Sequence, residues 1–256
     1  MILSRVIEHV KAQNWTAIFI DFVIVVVGVF IGIQVSNWNE ARAERVREQS
    51  YLVRIRADLQ SDIDGLAERL RYWSAVAAAG RAAANYAETG ALVDGSSWKT
   101  TLAFYEASNI WLYAPNDTTF KEMSSAGDVS LIRKEELRAA VSSYYSDGAK
   151  LVRAVVYTNI PEYRQIVRGA TPTVVARYIV EHCHSSGPMN QRLVACASPV
   201  TEAAAGDILR AYLDHPQLLD RLRFWLINLD QLVQGAAPDD AAARALAAAI
   251  DKELAR

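Results

Sequence analysis

The residues best suited to chemistry lie in one short stretch, Glu181-His182-Cys183-His184, and a second cysteine follows at position 196. Histidine nitrogen and cysteine sulfur are the usual ligands of zinc. Successive residues of a helix point about 100° apart, so His182, Cys183 and His184 could meet at one ion only from a loop. Their spacing fits neither a zinc finger nor the H-E-x-x-H motif. A metal-dependent enzyme using His182, His184 and Cys196 is therefore the weakest of the functional hypotheses for this chain.

The two cysteines have two further interpretations. Cys183 and Cys196 lie in a stretch rich in Ser, Gly and Pro, which favours a loop. A disulfide that closes such a short loop is typical of an oxidising compartment. Two unlinked cysteines are also common in reduced proteins. The sequence therefore leaves open both a Cys183–Cys196 disulfide and two free thiols.

Other catalytic patterns are missing from the sequence. It contains no G-x-S-x-G, no Walker-type phosphate loop and no G-x-G-x-x-G. The carboxylates of Asp58, Asp62, Asp64 and Glu68 lie beside arginines, and we expect them to form a solvated helix face with i,i+4 pairs. A formal net charge of −2 provides no broad field to recruit nucleic acid. We expect no catalytic residue, cofactor, metal or nucleic-acid partner.

Five aromatic residues cluster in one predicted helix: Trp98, Phe104, Tyr105, Trp111 and Tyr113. Their most direct interpretation is the core of a helical bundle. The alternative is a ligand pocket of an extracytoplasmic sensing domain. Such a sensor would have to signal through a partner, because about 15 residues precede the long apolar stretch near the N-terminus, which is too few for a signalling domain.

The element that places these residues in the cell is that apolar stretch, Thr16–Ser36, in which Asp21 is the one ionisable residue. An α-helix needs about 20 such residues to cross a hydrocarbon core of roughly 30 Å. Trp15 and Trp38 bracket the stretch, where their amphipathic rings would lie at the headgroup level as interface anchors. A cleaved signal peptide and a buried helix of a soluble protein are the alternatives.

We accordingly expect a short N-terminal arm over residues 1–15 and a single transmembrane helix over residues 16–37, in the lipid bilayer. Gly28 and Gly32 lie one turn apart, so a second helix can approach this side closely. Asp21 and Gln34 are costly in lipid and should face a partner or lie near an interface. Gly28, Gly32, Asp21 and Gln34 are the predicted association face for a protein partner or a homo-oligomer.

Two signals disagree on the orientation. Arg5 and Lys11 precede the apolar stretch, and five arginines follow it: Arg42, Arg45, Arg47, Arg54 and Arg56. This count favours the large domain inside the cell, but long domains are translocated largely regardless of charge. The cysteine pair favours an oxidising compartment. We expect a single-pass protein of the bacterial inner membrane with its large domain in the periplasm.

The remaining sequence predicts an all-α fold. Over residues 38–88 there is no proline, and apolar residues recur every three or four positions: Leu52, Ile55, Leu59, Ile63, Leu66, Leu70 and Trp73. Nothing between Ser36 and Ala41 would stop a helix, so this long amphipathic helix should continue directly from the transmembrane helix. We expect it to complete an antiparallel helical bundle formed by residues 89–256. A coiled-coil stalk between subunits is the alternative.

Capping residues predict where some helices begin and end. Ser96 or Ser97 should cap a helix that runs to about Tyr113. The T-x-x-E spacing at Thr119 predicts a capping box, and Gly127 should end that short helix.

Another helix should run from near Arg133 to Gly169, with Val152 and Val155 on its apolar face. Proline at the first helical position predicts three further helix starts, at Pro172, Pro216 and Pro238.

Two segments resemble an uncharacterised bacterial family of membrane-anchored proteins, a domain of unknown function. Its first signature is an acidic residue, an aliphatic run with glycines, a glutamine and N-W-N-E; here these are Asp21, Gly28, Gly32, Gln34, Asn37, Trp38, Asn39 and Glu40. The family's acidic residue is usually Glu. A second motif, TFxExxSxGxxxLI followed by a tyrosine pair, corresponds to Thr119, Phe120, Glu122, Ser125, Gly127, Leu131, Ile132, Tyr144 and Tyr145. The resemblance implies one membrane helix and a mostly helical body, and no activity.

These features favour a membrane-anchored helical interaction or accessory protein that assembles with itself or with a larger membrane complex. A ligand-sensing domain that works through a partner is the second hypothesis, and the metal-dependent enzyme is the third.

Overall fold

A computed structural model describes residues 15–147, 161–187 and 190–256. The helices are α1 (Trp15–Thr89), α2 (Ser97–Ala107), α3 (Thr118–Ser125), α4 (Glu135–Asp147), α5 (Glu162–Ala170), α6 (Thr173–His182), α7 (Glu202–Leu213) and α8 (Leu218–Leu254). Short 3-10 turns span Val93–Gly95 and Asp128–Leu131. The predicted all-α class is confirmed. Residues 1–14 of the predicted N-terminal arm, and the predicted helical residues Val152 and Val155, lie outside the described residues.

Helix α1 is one uninterrupted helix of 75 residues. At 1.5 Å per residue it is about 110 Å long. Its first third is the apolar stretch, and from Leu52 onward its inner face is buried. The chain therefore passes from the apolar stretch into the bundle without a break, because no proline occurs in these 75 residues.

Helix α8 packs antiparallel to α1 and is its main partner. Three ion pairs mark the register: Arg56–Asp251 at 3.0 Å, Arg81–Asp230 at 3.3 Å and Glu88–Arg223 at 2.7 Å. At Gly80 the two helices approach so closely that an added Cβ would lie 2.7 Å from Cδ2 of Leu226. The remaining helices cover this pair.

The bundle has two apolar clusters along α1. The first lies near the apolar stretch and joins α1, α3, α4 and the end of α8 through Leu52, Ile55, Leu59, Ile63, Met123, Ile132, Val141, Leu246 and Ile250. The second lies farther along and joins α1 to α2, α5, α6, α7 and the start of α8 through Trp73, Val76, Phe104, Tyr163, Ile179, Tyr212, Leu222 and Trp225. The predicted stripe from Leu52 to Trp73 therefore belongs to an intramolecular core rather than to a stalk between subunits.

The predicted end of α2 is wrong because side chains elsewhere in the fold satisfy the backbone after it. Helix α2 ends at Ala107 rather than near Tyr113. The carbonyls of Trp111 and Leu112, in the irregular segment after this helix, accept hydrogen bonds from Trp73 and Arg69 of α1. Tertiary donors thus replace the helical ones.

Helix α8 runs through Pro238, where a new helix was predicted. Proline removes one hydrogen bond and normally breaks or kinks a helix. Here Ala236 before it and Ala243, Leu246 and Ala247 after it are all buried in the core. Burial of that common face favours one continuous helix over two.

The cap predictions have mixed outcomes. Ser96 caps α2 as expected, accepting a hydrogen bond from the Lys99 amide at 3.1 Å, and Gly127 has the left-handed conformation that ends a helix (φ 75°). The capping box is wrong: Thr119 is the second residue of α3, its side chain is buried, and Asp117 occupies the cap position.

The other predicted boundaries shift. Helix α6 begins after Pro172 and α8 begins two residues after Pro216. The helix predicted from Arg133 begins at Glu135 as α4, which is described as far as Asp147, and α5 covers Glu162–Ala170.

A small antiparallel hairpin was not predicted. Strands β1 (His184–Ser186) and β2 (Gln191–Leu193) pair with His184 opposite Leu193. Strand β2 packs against α1. The hairpin lies inside the predicted loop between the two cysteines, and strands of three residues are too short to show an alternating pattern.

Replacing Leu59 with alanine should destabilise the bundle by about 2–5 kcal/mol, because the side chain is fully buried and its loss leaves a cavity. Chemical unfolding of the detergent-solubilised protein, followed by circular dichroism, measures the change. Ser61→Ala, at an exposed position of the same helix, is the control and should change stability by less than about 0.5 kcal/mol. Equal effects of the two substitutions would contradict the packing of α1 in the bundle.

Candidate functional site

Among the described residues, the exposed large apolar side chains are concentrated on the first part of α1. Every large apolar side chain from Phe19 to Val35 is 39–65% exposed. The most apolar 18-residue window of the helix has a mean hydropathy of 2.7, and none of it is buried within the chain. This helix is long and apolar enough to span a membrane. We call residues 16–37 the apolar segment.

Two exposed tryptophans flank the apolar segment, one at each end. Trp15 is 77% exposed and Trp38 is 61% exposed. They lie 23 residues apart along α1, which corresponds to about 35 Å of helix, slightly more than the hydrocarbon thickness of a bilayer. The guanidinium of Arg42 lies 5.9 Å from the Trp38 ring centroid, so a cation–π contact marks the end of the segment where charged residues begin.

The glycines of the segment are open to the outside. A Cβ added to Gly28 or Gly32 would meet no heavy atom within 4 Å. Seven residues separate Asp21 from Gly28, so these three residues share one side of the helix. Gln34 follows Gly32 by two residues and therefore points about 160° away. The helix brings together three of the four residues predicted for the association face and leaves Gln34 outside it.

The predicted metal residues do not converge. Cys183 and Cys196 form a disulfide, so neither sulfur is a free thiolate. The His182 ring stacks on Tyr178, with centroids 4.2 Å apart, and its Nδ1 lies 3.1 Å from the Tyr178 carbonyl oxygen. His184 instead points to Glu106, with Nε2 2.7 Å from Oε2. In residues 15–147, 161–187 and 190–256, no group of three or more His, Cys, Asp or Glu side chains is arranged so that it could hold a metal ion.

Sequence reasoning missed the polar network around Glu106. This carboxylate is only 4% exposed. Its Oε2 accepts a hydrogen bond from the Asn109 amide and contacts His184, whereas Oε1 is buried without a hydrogen-bond partner in the described part of the chain. Arg168 donates to the Asn109 side-chain oxygen at 2.6 Å and lies over the Tyr105 ring. The network ties α2, α5 and the hairpin together.

No sequence signal could have revealed this network, because its members come from three separate elements. Its partners and the adjacent disulfide indicate a structural role: His184 follows Cys183, so the disulfide and the His184–Glu106 contact hold the same end of the hairpin.

Asp58 and Asp62 are not on a solvated face, which corrects the sequence prediction. Asp62 is 4% exposed and accepts hydrogen bonds from the Asn116 backbone amide at 2.7 Å and from the Tyr144 hydroxyl at 2.9 Å. Asp58 accepts from the Asn116 side chain at 2.8 Å and from the Thr119 amide at 3.3 Å. The two carboxylates hold the segment before α3 onto α1.

Asp64 and Glu68 agree better with the predicted solvated face. Asp64 is exposed and accepts a hydrogen bond from Gln60 at i−4. Glu68 pairs with Arg71 and with Arg192 of the hairpin.

The five clustered aromatics pack as bundle core. Trp98, Phe104, Tyr105 and Tyr113 are each at most 3% exposed. Trp111 lies partly exposed beneath Arg69, with 4.6 Å between guanidinium and ring centroid, and its edge meets Tyr72. Their faces are taken up by neighbouring side chains, so they support the core interpretation rather than a ligand pocket.

Comparison with known proteins adds one match. The model of a family described as "Family of unknown function (DUF6090)" matches residues 21–159, more than half of the chain. The match includes the apolar segment from Asp21 onward and the Asp58–Asp62 contacts to α3 and α4. No curated protein and no solved structure matches the chain.

The buried carboxylate predicts a pH dependence. Burial raises the pKa of Asp62, because desolvation of the charge outweighs the hydrogen bonds from Asn116 and Tyr144. A carboxyl whose pKa is raised in the folded state binds its proton more tightly there than in the unfolded chain. Its contribution to stability is therefore present below the unfolded pKa and lost as the pH rises through the folded pKa.

Asp62→Asn keeps an acceptor for the Asn116 amide and removes the charge. Between about pH 4 and about pH 7, the variant's free energy of unfolding should rise relative to that of the wild type as the pH rises. Urea unfolding at a series of pH values measures this difference. The control, Asp64→Asn, changes an exposed carboxyl two residues away. Parallel pH profiles for Asp62→Asn and the wild type would contradict the assignment.

Proposed function

Because the chain belongs to the DUF6090 family, whose function is unknown, we propose a function from its geometry alone. The protein is a single-pass membrane protein of the bacterial inner membrane that acts as a helical interaction or accessory subunit. It assembles with itself or with a larger membrane complex through the side of α1 that carries Gly28 and Gly32. The observation that carries this proposal is the apolar segment, exposed on all sides and continuous with a packed bundle.

Membrane insertion is supported by the absence of any partner for the apolar segment among the described residues. Apolar surface left in water costs roughly 25 cal/mol per Å², and exposed patches of this extent mark membrane or protein contacts. A bilayer covers the whole circumference of a helix, whereas a docked protein covers one side. The exposure on all sides therefore favours lipid.

The contacts of the residues immediately after the apolar segment support an uncleaved anchor rather than a signal peptide that is removed. Ala41-Arg42-Ala43 matches the A-x-A pattern of a signal-peptide cleavage site. These residues lie within α1, and the Ala41 carbonyl accepts a hydrogen bond from Arg133 at 3.1 Å. The Arg133 amide donates to Glu48, five residues past Ala43. Cleavage there would cut a helix that is already part of the bundle, which is unlike the flexible cleavage region of a signal peptide.

These contacts also hold the bundle close to the bilayer. Ala41 follows Trp38 by three residues, which is about 5 Å along the helix. A rigid connection of this length fixes the height of the bundle, and a partner would meet both the membrane helix and the adjacent part of the bundle. That arrangement suits an assembly subunit.

A periplasmic position is supported by the disulfide. Cys183–Cys196 closes a loop of 13 residues around the hairpin, and such bonds persist in oxidising compartments such as the bacterial periplasm. The arginines after Trp38 oppose this orientation only weakly, because long domains are translocated largely regardless of charge.

We expect association to depend on the glycines. Replacing both Gly28 and Gly32 with leucine adds side chains where helix backbones would approach, and should weaken association about tenfold, or about 1.4 kcal/mol. Native mass spectrometry and crosslinking of the full chain in detergent measure the associated fraction. Val29→Leu, a neighbouring exposed position, is the control. A wild-type protein that is strictly monomeric with no co-purifying partner would overturn the proposal.

The orientation has its own test. In intact cells, Cys183 and Cys196 should resist alkylation until a reductant is added, and the bond should fail to form in a strain that lacks periplasmic disulfide oxidation. A mobility shift with a maleimide–polyethylene glycol reagent reports the thiol state. Free, readily alkylated thiols in wild-type cells would place the bundle in the cytoplasm and leave the association proposal standing.

A further inference from the structure

The apolar segment carries a charge that the described part of the chain does not balance. Asp21 is its one ionisable residue, and no lysine, arginine or histidine occurs over residues 16–37. The Oδ2 atom of Asp21 is buried and has no hydrogen-bond partner among the described residues. Along the described part of α1 the first basic residue is Arg42, 21 positions farther on, which corresponds to about 31 Å of helix.

The depth of Asp21 makes this charge costly. The residue follows Trp15 by six positions, about 9 Å along the helix, and precedes Trp38 by about 26 Å. With the two tryptophans at the headgroup level, the carboxylate lies within the hydrocarbon. Aspartate has a short stem, whereas lysine and arginine can extend a long one to the interface. Carboxylates at such depths generally face a protein interior and pair there.

Asp21 lies on the side of α1 that a second helix can approach most closely. It shares this side with Gly28 and Gly32, where an added Cβ would meet no heavy atom within 4 Å. Helices that pack on such glycines cross at about −40°. Over the roughly 10 Å from Gly28 to Asp21, two helices at this angle diverge by about 7 Å. A long side chain of the second helix is therefore needed to reach the carboxylate.

We propose that this side of α1 binds a membrane helix of a different protein, and that this helix places a lysine or arginine beside Asp21. The inference rests on the association proposed above and names the chemistry of the partner. Lysine and arginine combine the required stem length with the opposite charge. Their attraction to a carboxylate is stronger in a medium of low dielectric constant than in water, and it includes a charge-assisted hydrogen bond.

The same geometry disfavours a second copy of this chain on the glycine side. Two copies inserted in one membrane are parallel and lie at the same depth, so a symmetric contact through Gly28 and Gly32 would place Asp21 near its own counterpart. Two carboxylates would then repel each other in a low-dielectric medium. The segment contains no basic residue that could offset them.

Site-specific photocrosslinking of the full chain in living cells tests the proposal. A benzophenone amino acid at Val25 lies about one turn past Asp21 and about 40° around the helix, on the glycine side. The control probe at Val23 lies about 160° from Asp21. Both positions are exposed, at 48% and 39%. Immunoblotting quantifies the adducts, and mass spectrometry identifies the crosslinked peptide.

We expect the probe at Val25 to capture a membrane helix that contains lysine or arginine, with several-fold less adduct from Val23. Asp21→Asn should lower the Val25 adduct about three- to tenfold, the range of polar contacts between membrane helices. Asp21→Glu keeps the charge and should retain most of the adduct. Loss of the charge makes the segment easier to insert, so failed insertion would not explain the decrease.

Two further variants sharpen the comparison. Gln34→Leu removes a polar side chain from the opposite side of the helix and should leave the Val25 adduct unchanged. Replacing the partner's basic residue with glutamine should cause the same loss as Asp21→Asn. The two changes together should cause no further loss, because each removes the same contact.

The proposal is overturned if Asp21→Asn leaves the adduct unchanged, if the captured helix lacks lysine and arginine, or if it is a second copy of this chain. Lys11 precedes Asp21 by ten positions and lies outside the described residues. A loss of adduct in Lys11→Gln as large as that in Asp21→Asn would assign the pair to this chain and also overturn the proposal. So would a missing Val25 adduct while association through Gly28 and Gly32 persists. All of these results leave the proposed function standing, and it fails as well only if that association is missing.

Discussion

The continuity of α1 is the constraint on which the rest of this structure depends. One unbroken helix of 75 residues carries the apolar segment, the stretch beside it and the central helix of the bundle. Because each residue advances the helix by about 100°, the directions of the side chains along α1 are fixed relative to one another over its whole length. The inner side is covered by α8 and the shorter helices, and the outer side remains exposed from the apolar segment to Ala57.

Buried carboxylates attach irregular segments to this helix. Asp58 and Asp62 together accept four hydrogen bonds from Asn116, Thr119 and Tyr144. A buried carboxylate without such donors would cost several kcal/mol. Glu106 acts in a similar way at the other end of the bundle, where His184 and Asn109 approach it beside the disulfide. Asp58 and Asp62 thus orient the irregular segment before α3, and Glu106 holds one end of the β1–β2 hairpin.

Local signals predicted much of the helical architecture, and their failures have physical causes. Apolar spacing from Leu52 to Trp73 predicted the buried side of α1, and Ser96 and Gly127 have their expected roles at helix ends. Pro238 and the end of α2 were wrong because local propensity was weaker than tertiary contacts. Burial on both sides of Pro238 maintains α8, while donors from α1 stabilise the irregular backbone after Ala107.

The sequence by itself determined the apolar segment, the helix that continues from it and the all-α class, since each depends on neighbours three or four positions apart. The sequence also contains two uncharged residues seven positions apart, Val46 and Val53, but only the tertiary structure shows that this side of α1 stays exposed. Only the tertiary structure shows that Cys183 pairs with Cys196, that His184 and not His182 contacts Glu106, and that Asp62 is buried. These contacts join residues far apart in the chain, and their formation depends on how the helices pack rather than on local spacing.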